Sequence, residues 1–332
     1  MQWILVEKFG VPAMTHILDD FMFYGPPMAM DDTCLVSLNT FMHVAKALNI
    51  PVKKSKTINP TTCTNLYGIE VDTKQMVARL TDGKLAKAIE AVNSMAGKGK
   101  VQMKELRSAI GFLSFVCKVV MPGRPFLRRL WDLTKGGAKP HHHIRLSKGA
   151  QLDLQAWAQF LRFHNGVTLL SDTRWITSKR LNLFTDAAGS GGYAAIYGNR
   201  WICGEWPEEW RDFHITIREL YPICAAISIW ATDLANTCIQ FWCDNEALCY
   251  IINKRTSKDA KIMILIRKLV VTTMSHNIMF RATHIPGLEN QLADSISRFQ
   301  FARARELALS LDDESTRIPD HLRSEGILGE IF

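Results

Sequence analysis

Four carboxylates in the second half of the chain stand where chemistry would need them. Asp186 closes an apolar run, LNLFTD, just before a turn of small residues, and Asp244 closes another, IQFWCD. Acids at the ends of central strands project into the crevice where α/β folds place their sites. Glu219 lies between Ile217 and Leu220 on an apolar helix stripe, an odd place for a solvated acid. Asp294 falls in the first turn of a short helix, after the strand that carries His284. Singly, each has a plainer explanation. A strand-end Asp often caps a helix or makes a turn, Glu219 has Arg218 as a salt-bridge neighbour, and Asp294 favours a helix N-terminus. As a set they say more: four acids, each at the edge of a different core element. Left bare, such a cluster repels itself and raises its own pKa values. Divalent cations remove the conflict, and hard oxygen ligands select Mg²⁺ or Mn²⁺.

The elements that must position these acids are readable from pattern. LNLFTDAA, GGYAAIYG and RWICGEWP are three successive strand candidates with Gly-rich or polar breaks. A helix follows from about Ile215, with Ile217, Leu220, Cys224, Ile227 and Ala231 along one face. Next come a buried strand, CIQFWCD, a helix, ALCYIINK, a longer helix from near Asp259, a strand through IMFRATHIP and a helix in QLADSISRF. The order βββαβααβα predicts an α/β (mixed α+β) fold, a mixed five-stranded sheet with helices packed on it. Upstream, residues 84–164 show helical spacing in KLAKAIEAVNSMA, KELRSAIGFLSFVCKVV and KGAQLDLQAWAQFLRF, and residues 1–80 read as short β-rich segments. The predicted organisation is therefore 1–80, 81–179 (helical), 180–300 (the acid-bearing domain) and 301–332, a polar and loosely ordered tail.

Composition excludes several classes. The 332 residues are 47% hydrophobic and 22% charged, a globular balance with enough apolar material for a core. The net charge of +8 is uneven: residues 1–179 carry +11 and the remainder −3. A basic first half suits a polyanion held by its phosphates. Eight cysteines contain no C-x-x-C pair, so neither a disulfide framework nor a zinc knuckle is implied. The N-terminus reads as no signal peptide, and the longest apolar stretch, Leu220 to Thr232, is too short to span a bilayer. The expectation is a soluble intracellular protein, not a secreted one, in a reducing compartment.

The segments around the four acids, FTDAAGSGG, IRELYPI, CDNEAL and HIPGLENQLADSISR, resemble the type-one ribonuclease H domain of retroelement reverse transcriptases over about 120 residues. The last segment is the most specific. The resemblance implies cleavage of the RNA strand of RNA–DNA hybrids by two Mg²⁺ ions, with Mn²⁺ as a substitute. Asp186 would bridge both ions, Glu219 and Asp244 would help hold them, and Asp294 would ligate the ion that activates water. His284 matches the family's mobile histidine, which assists proton transfer or product departure. Hybrid selectivity would come from 2′-hydroxyl contacts and groove shape, with Asn245 a candidate contact.

The first half carries fainter marks. Asp19 and Asp20, in HILDDFMFYG, resemble the paired-aspartate hairpin of a reverse transcriptase palm, although Ile17 stands where an aromatic is usual. KKSKTINP followed by NLYGIEVDT looks like the next two palm motifs, with Lys56 (or Lys54) as the lysine that protonates pyrophosphate and a hairpin that grips the primer. GFLSFVCKVVMPGRPFLRRL resembles the thumb and connection, where Arg124, Arg128 and Arg129 would meet phosphates. HHHIRLS and LQAWAQFLRFHNG make DIRS-type retrotransposons the most similar group. The three histidines, consecutive in a loop, read as a linker. Only eighteen residues precede Asp19, too few for fingers and a third palm aspartate. The chain is expected not to polymerise alone, and to be part of a longer polyprotein or a decayed or domesticated copy. A nuclease-dead remnant that only binds nucleic acid, and a reverse transcriptase completed by the missing palm, are the alternatives.

Overall fold

The computed structural model of the chain describes residues 1–26, 32–136, 138–163, 168–169 and 175–328. It is a mixed α/β fold with several sheets and flanking helices. Its contacts divide into two units, one of residues 1–65 and 71–75, the other of residues 66–70 and 76–332.

In the first unit, β1 (Met14–Ile17) and β2 (Asp20–Phe23) form an antiparallel hairpin. Leu18, at φ 54°, and Asp19 make its two-residue turn, and such a turn needs positive φ. A small core of Leu5, Val11, Phe41 and Val44 holds the unit, with Phe21 and Phe23 against Phe41 at ring distances of 4.8 and 5.7 Å. Phe41 and Val44 belong to α1 (Thr33–Ala47), which the β-rich reading of residues 1–80 did not anticipate. The reason is visible in retrospect. Ser37, Phe41, Val44 and Ala45 are its buried residues, a helical period masked by the β-branched and aromatic content around them. NLYGIEVDT forms β3 (Cys63–Leu66) and β4 (Ile69–Asp72), with Tyr67 and Gly68 at positive φ between them.

From residue 76 the second unit runs through β5 (Val77–Leu80), then α2 (Asp82–Met95), β6 (Lys100–Gln102), α3 (Met103–Val116), a 3-10 segment (Met121–Leu127) and α4 (Arg128–Asp132). β7 (His143–Arg145) pairs antiparallel with β6, α5 (Lys148–Phe163) follows, and β8 (Thr168–Leu169) pairs with β5. The helical reading of 84–164 holds as far as Phe163; residue 164 lies outside the described residues. α3 starts at a capping box in which Gln102 and Glu105 satisfy each other's backbone donors.

The remaining strands are β9 (Ile176–Thr177), β10 (Leu183–Ala187), β11 (Gly192–Tyr197), β12 (Arg200–Glu205), β13 (Cys238–Cys243) and β14 (Met279–His284). The helices among and after them are α6 (Ser178–Leu181), α7 (Glu208–Arg211), α8 (Ile215–Ile229), α9 (Glu246–Lys254), α10 (Ala260–Ser275), α11 (Gln291–Ser297), α12 (Phe301–Leu307) and α13 (Ser324–Ile327). The predicted order βββαβααβα is present as β10 to α11, with β9 and α6 before it, α7 inserted between β12 and α8, and α12 and α13 after it. These six strands, the predicted five and β9, do not form one unbroken ladder. β10–β11–β12 is one antiparallel ladder, and β14–β13–β9 is a second, parallel one, with β10 packed beside β13. The break has a local cause. α6 inserts a helical turn between β9 and β10, and the buried Ser178 hydroxyl takes over the missing pairing, accepting from Trp242 N at 2.9 Å and donating to Gln240 O at 3.4 Å.

α8 is buried nearly all round, as a helix in the middle of a core must be. Its Tyr221 packs with Tyr193, Trp206 and Trp210. A single core runs from Leu106, Leu113 and Trp157 of the helical segment to Leu220, Phe241 and Ile266 of the acid-bearing one. At its centre Asp153 of α5, 1% exposed, meets Arg267 of α10 at 3.4 Å and Arg129 of α4 at 3.4 Å. The loosely ordered tail is corrected by packing. Ile318, Leu322 and Ile327 are buried, Tyr221 Oη donates to Leu322 O at 3.1 Å, and Thr316 N donates to Trp201 O at 2.7 Å. The pattern is too sparse for a period, with one apolar anchor every few polar residues. Residues 329–332 lie outside the described residues.

Candidate metal centre

Asp186 is the fourth residue of β10 and half-buried. Ser297, the last residue of α11, donates its hydroxyl to Asp186 Oδ2 at 2.5 Å, and Asn290 Nδ2 lies 3.5 Å from Oδ1 while donating to Thr185 O at 2.9 Å. The small-residue turn brings α11 this close. A Cβ on Gly191 would stand 2.6 Å from Ser297 O, and one on Gly192 would stand 2.0 Å from Gly204 O. Burial pushes the Asp186 carboxyl up to about 6; the Ser297 bond draws it down, and the charges of Asp294 and Asp244 push it further up.

Glu219 projects from the second turn of α8, in the turn preceding Pro222. Burial pushes it up to about 7, a hydrogen bond from Asn245 opposes this, and the charges of Asp244 and Asp186 add to the rise. Its Oε2 is shut off from solvent without a hydrogen-bond partner. Arg218, the salt-bridge neighbour of the plainer explanation, donates to Gly189 O at 2.8 Å. Asp244 follows the last residue of β13 and is exposed. A Cβ on Gly287 would lie 3.3 Å from its Oδ2, so the loop after β14 closes against it. His284 pairs across the ladder with Cys243, and its Nε2 lies 3.1 Å from Asp244 O, the geometry of a ring N–H donating to that carbonyl. Asp294 accepts from Arg298 Nε at 2.7 Å, one turn on.

The charges of Asp294 and Asp244 act on Asp186, and those of Asp244 and Asp186 act on Glu219. The ligand atoms of Glu219, Cys243 and Asp244 all lie within 4.8 Å of one another, a possible metal-coordinating cluster. Cys243, Ser297 and Asn290 were missed by sequence reasoning. For Ser297 and Asn290 the signal was there, as the S and N of the quoted HIPGLENQLADSISR segment; for Cys243 there was none beyond its place beside Asp244.

The other expected site residues are placed as follows. Asn245 caps α9, its Oδ1 accepting from Leu248 N at 3.0 Å, and its Nδ2 donates to Thr216 Oγ1 at 3.3 Å. Arg128 pairs with Asp132 at 3.0 Å and Arg129 with Asp153, while Arg124 is exposed. Asp19 and Asp20 are exposed at the β1–β2 turn, and Lys56 is exposed at the end of a 3-10 turn, Lys54–Lys56.

No protein family and no curated protein matches the sequence. Solved structures do match. The foamy viral protease–reverse transcriptase dRH in complex with double-stranded DNA has a TM-score of 0.44 at 13% identity, over 85% of this chain and 47% of that one. The foamy viral protease–reverse transcriptase with an RNA/DNA hybrid gives 0.40 at 14%, over 85% and 37%. With double-stranded DNA it gives 0.42 at 14%, over 85% and 56%. The chain is distantly similar in structure to these enzymes and spans about half of their length or less. Among the described residues no helix is long and apolar enough to cross a membrane. What the site can do is decided by its own residues.

Proposed function

We propose that this chain is an endoribonuclease that hydrolyses the RNA strand of RNA–DNA hybrids, with Mg²⁺ held by Asp186, Glu219, Asp244 and Asp294. The observation that carries this reading is the coupling of Asp186 to the other three acids. The residues fit a hard cation: oxygen donors, one of them buried and unpartnered, and two carboxyls raised by burial and by one another's charge. Bound divalent ions supply a nucleophile near neutral pH and charge stabilisation at the leaving oxygen.

The chain's own groups do the rest. Ser297 and Asn290 hold the Asp186 carboxylate in one orientation. Arg298 covers the Asp294 charge until a cation replaces it. His284, exposed beside Asp244, carries protons to or from the reacting groups. Arg124, the exposed member of the three arginines, meets substrate phosphate. The test is cleavage of a labelled hybrid in Mg²⁺ by the purified chain and by Asp244→Asn. The variant is expected to lose two orders of magnitude or more, about 3 kcal/mol of barrier; equal residual activity in both sinks the reading.

One observation favours a second reading, a nuclease-dead nucleic-acid-binding remnant. The Asp294–Arg298 ion pair at 2.7 Å already neutralises one ligand. Hybrid binding without cleavage, in Mg²⁺ and in Mn²⁺, decides for it. The paired aspartates and Lys56 support an origin in a retroelement reverse transcriptase, of DIRS type by its upstream segments. The foamy viral enzymes to which the chain is similar were solved with DNA duplex and RNA/DNA hybrid, and a hybrid is the substrate proposed here. Primer extension by this chain is expected to give no product, and extension would reinstate the polymerase reading.

A further inference from the structure

Cys243 has no place in an Mg²⁺ site, because a hard cation that keeps its waters gains nothing from sulfur. Yet its Sγ lies within 4.8 Å of carboxylate oxygens of both Glu219 and Asp244. It is buried as the last inward residue of β13, where Asn245 N donates to it at 3.4 Å, it reaches Asn245 O at 3.6 Å, and its thiol shares a hydrogen bond with the Cys249 thiol. Glu219 Oε2, also buried, has no partner. Sulfur and carboxylate oxygens of Glu219 and Asp244 thus face one another. A tetrahedral cation with sulfur at about 2.3 Å and oxygens at about 2.0–2.2 Å spaces its ligands about 3.4–3.6 Å apart.

We propose that Glu219, Cys243 and Asp244 form a mixed sulfur–oxygen centre that binds a thiophilic divalent cation, Zn²⁺, in preference to Mg²⁺. As the metal–sulfur bond forms, the thiol proton leaves to solvent, and no oxidant is consumed. Because two of the ligands are shared, bound Zn²⁺ excludes Mg²⁺ and stops cleavage. That regulatory consequence rests on the nuclease reading; the binding itself does not.

Cd²⁺ is the probe, since a thiolate bound to it absorbs in the ultraviolet and histidine does not. The difference between the full chain and Cys243→Ser isolates this thiol from exposed Cys63 and from His141–His143. One equivalent of Cd²⁺ is expected to give the band in the unaltered chain and in Cys249→Ser, and no band from this site in Cys243→Ser or Cys243→Ala. Zn²⁺ affinity by calorimetry is expected to fall about tenfold or more in the two Cys243 variants and in Glu219→Gln. A band undiminished in Cys243→Ser, a band lost in Cys249→Ser, or unchanged Zn²⁺ affinity in Glu219→Gln overturns the proposal. Circular dichroism checks each fold, and Glu219→Gln keeps the test open should the Cys243 variants unfold. Absence of hybrid cleavage in Mg²⁺ with the band behaving as expected removes the nuclease reading and leaves this centre standing.

Discussion

Asp186→Asn should make the metal-free protein more stable at pH 8 while abolishing its chemistry. The folded carboxyl titrates at about 6 against an ordinary 3.8. Below pH 4 both states hold the proton and nothing is lost. Between 4 and 6 the unfolded chain gives the proton up and the folded one keeps it, so stability falls as pH rises, and the full loss stands above 6. Two units correspond to about 3 kcal/mol as a ceiling. Asparagine removes that cost but gives up the short charge-assisted bond from Ser297, worth about 1–2 kcal/mol. The expected net gain is about 1–2 kcal/mol at pH 8 in EDTA, and none at pH 4. Urea unfolding at the two pH values measures it, and excess Mg²⁺ should stabilise the unaltered protein at pH 8 and leave the variant where it was. A variant no more stable than its parent at pH 8, or equally stabilised at pH 4, refutes the idea that bare negative charge strains this site.

Other substitutions probe the frame. Asp153→Ala strands Arg267 as a buried unpaired cation and should cost about 3–5 kcal/mol, read from the urea midpoint. Ser178→Ala leaves Trp242 N–H without its acceptor and should cost about 1–2 kcal/mol, with faster hydrogen exchange at Trp242 as the local signature. His284→Ala should slow cleavage about 10²-fold with substrate affinity unchanged; a loss confined to affinity would assign His284 to binding.

The acids stand out in the sequence because their signal is local. A carboxylate that ends an apolar strand, or interrupts an apolar helix face, is visible without knowing what lies across the sheet. The same locality misled for α1, whose β-branched and aromatic residues hid a helical period. Asn245 and Arg129 illustrate the other limit. Residue type suggested nucleic acid, but Asn245 caps a helix and Arg129 serves a buried aspartate twenty-four positions away. Cys243 looked like filler among eight thiols, and only the return of α8 to the end of β13 sets it beside Glu219. The tail's anchors were unreadable for a similar reason: Leu322 matters because Tyr221 waits for its carbonyl a hundred residues earlier.

The aspartate that α5 lends to Arg267 bears on how this protein can be handled. An expression fragment starting near residue 180 would retain every proposed metal ligand and still lose the counter-ion of a cation sealed in its interior, together with Trp157 and its apolar neighbours. Such a fragment should be insoluble or molten, so screens for hybrid cleavage need the helical segment attached. Recombination that exchanged the acid-bearing half alone would meet the same obstacle.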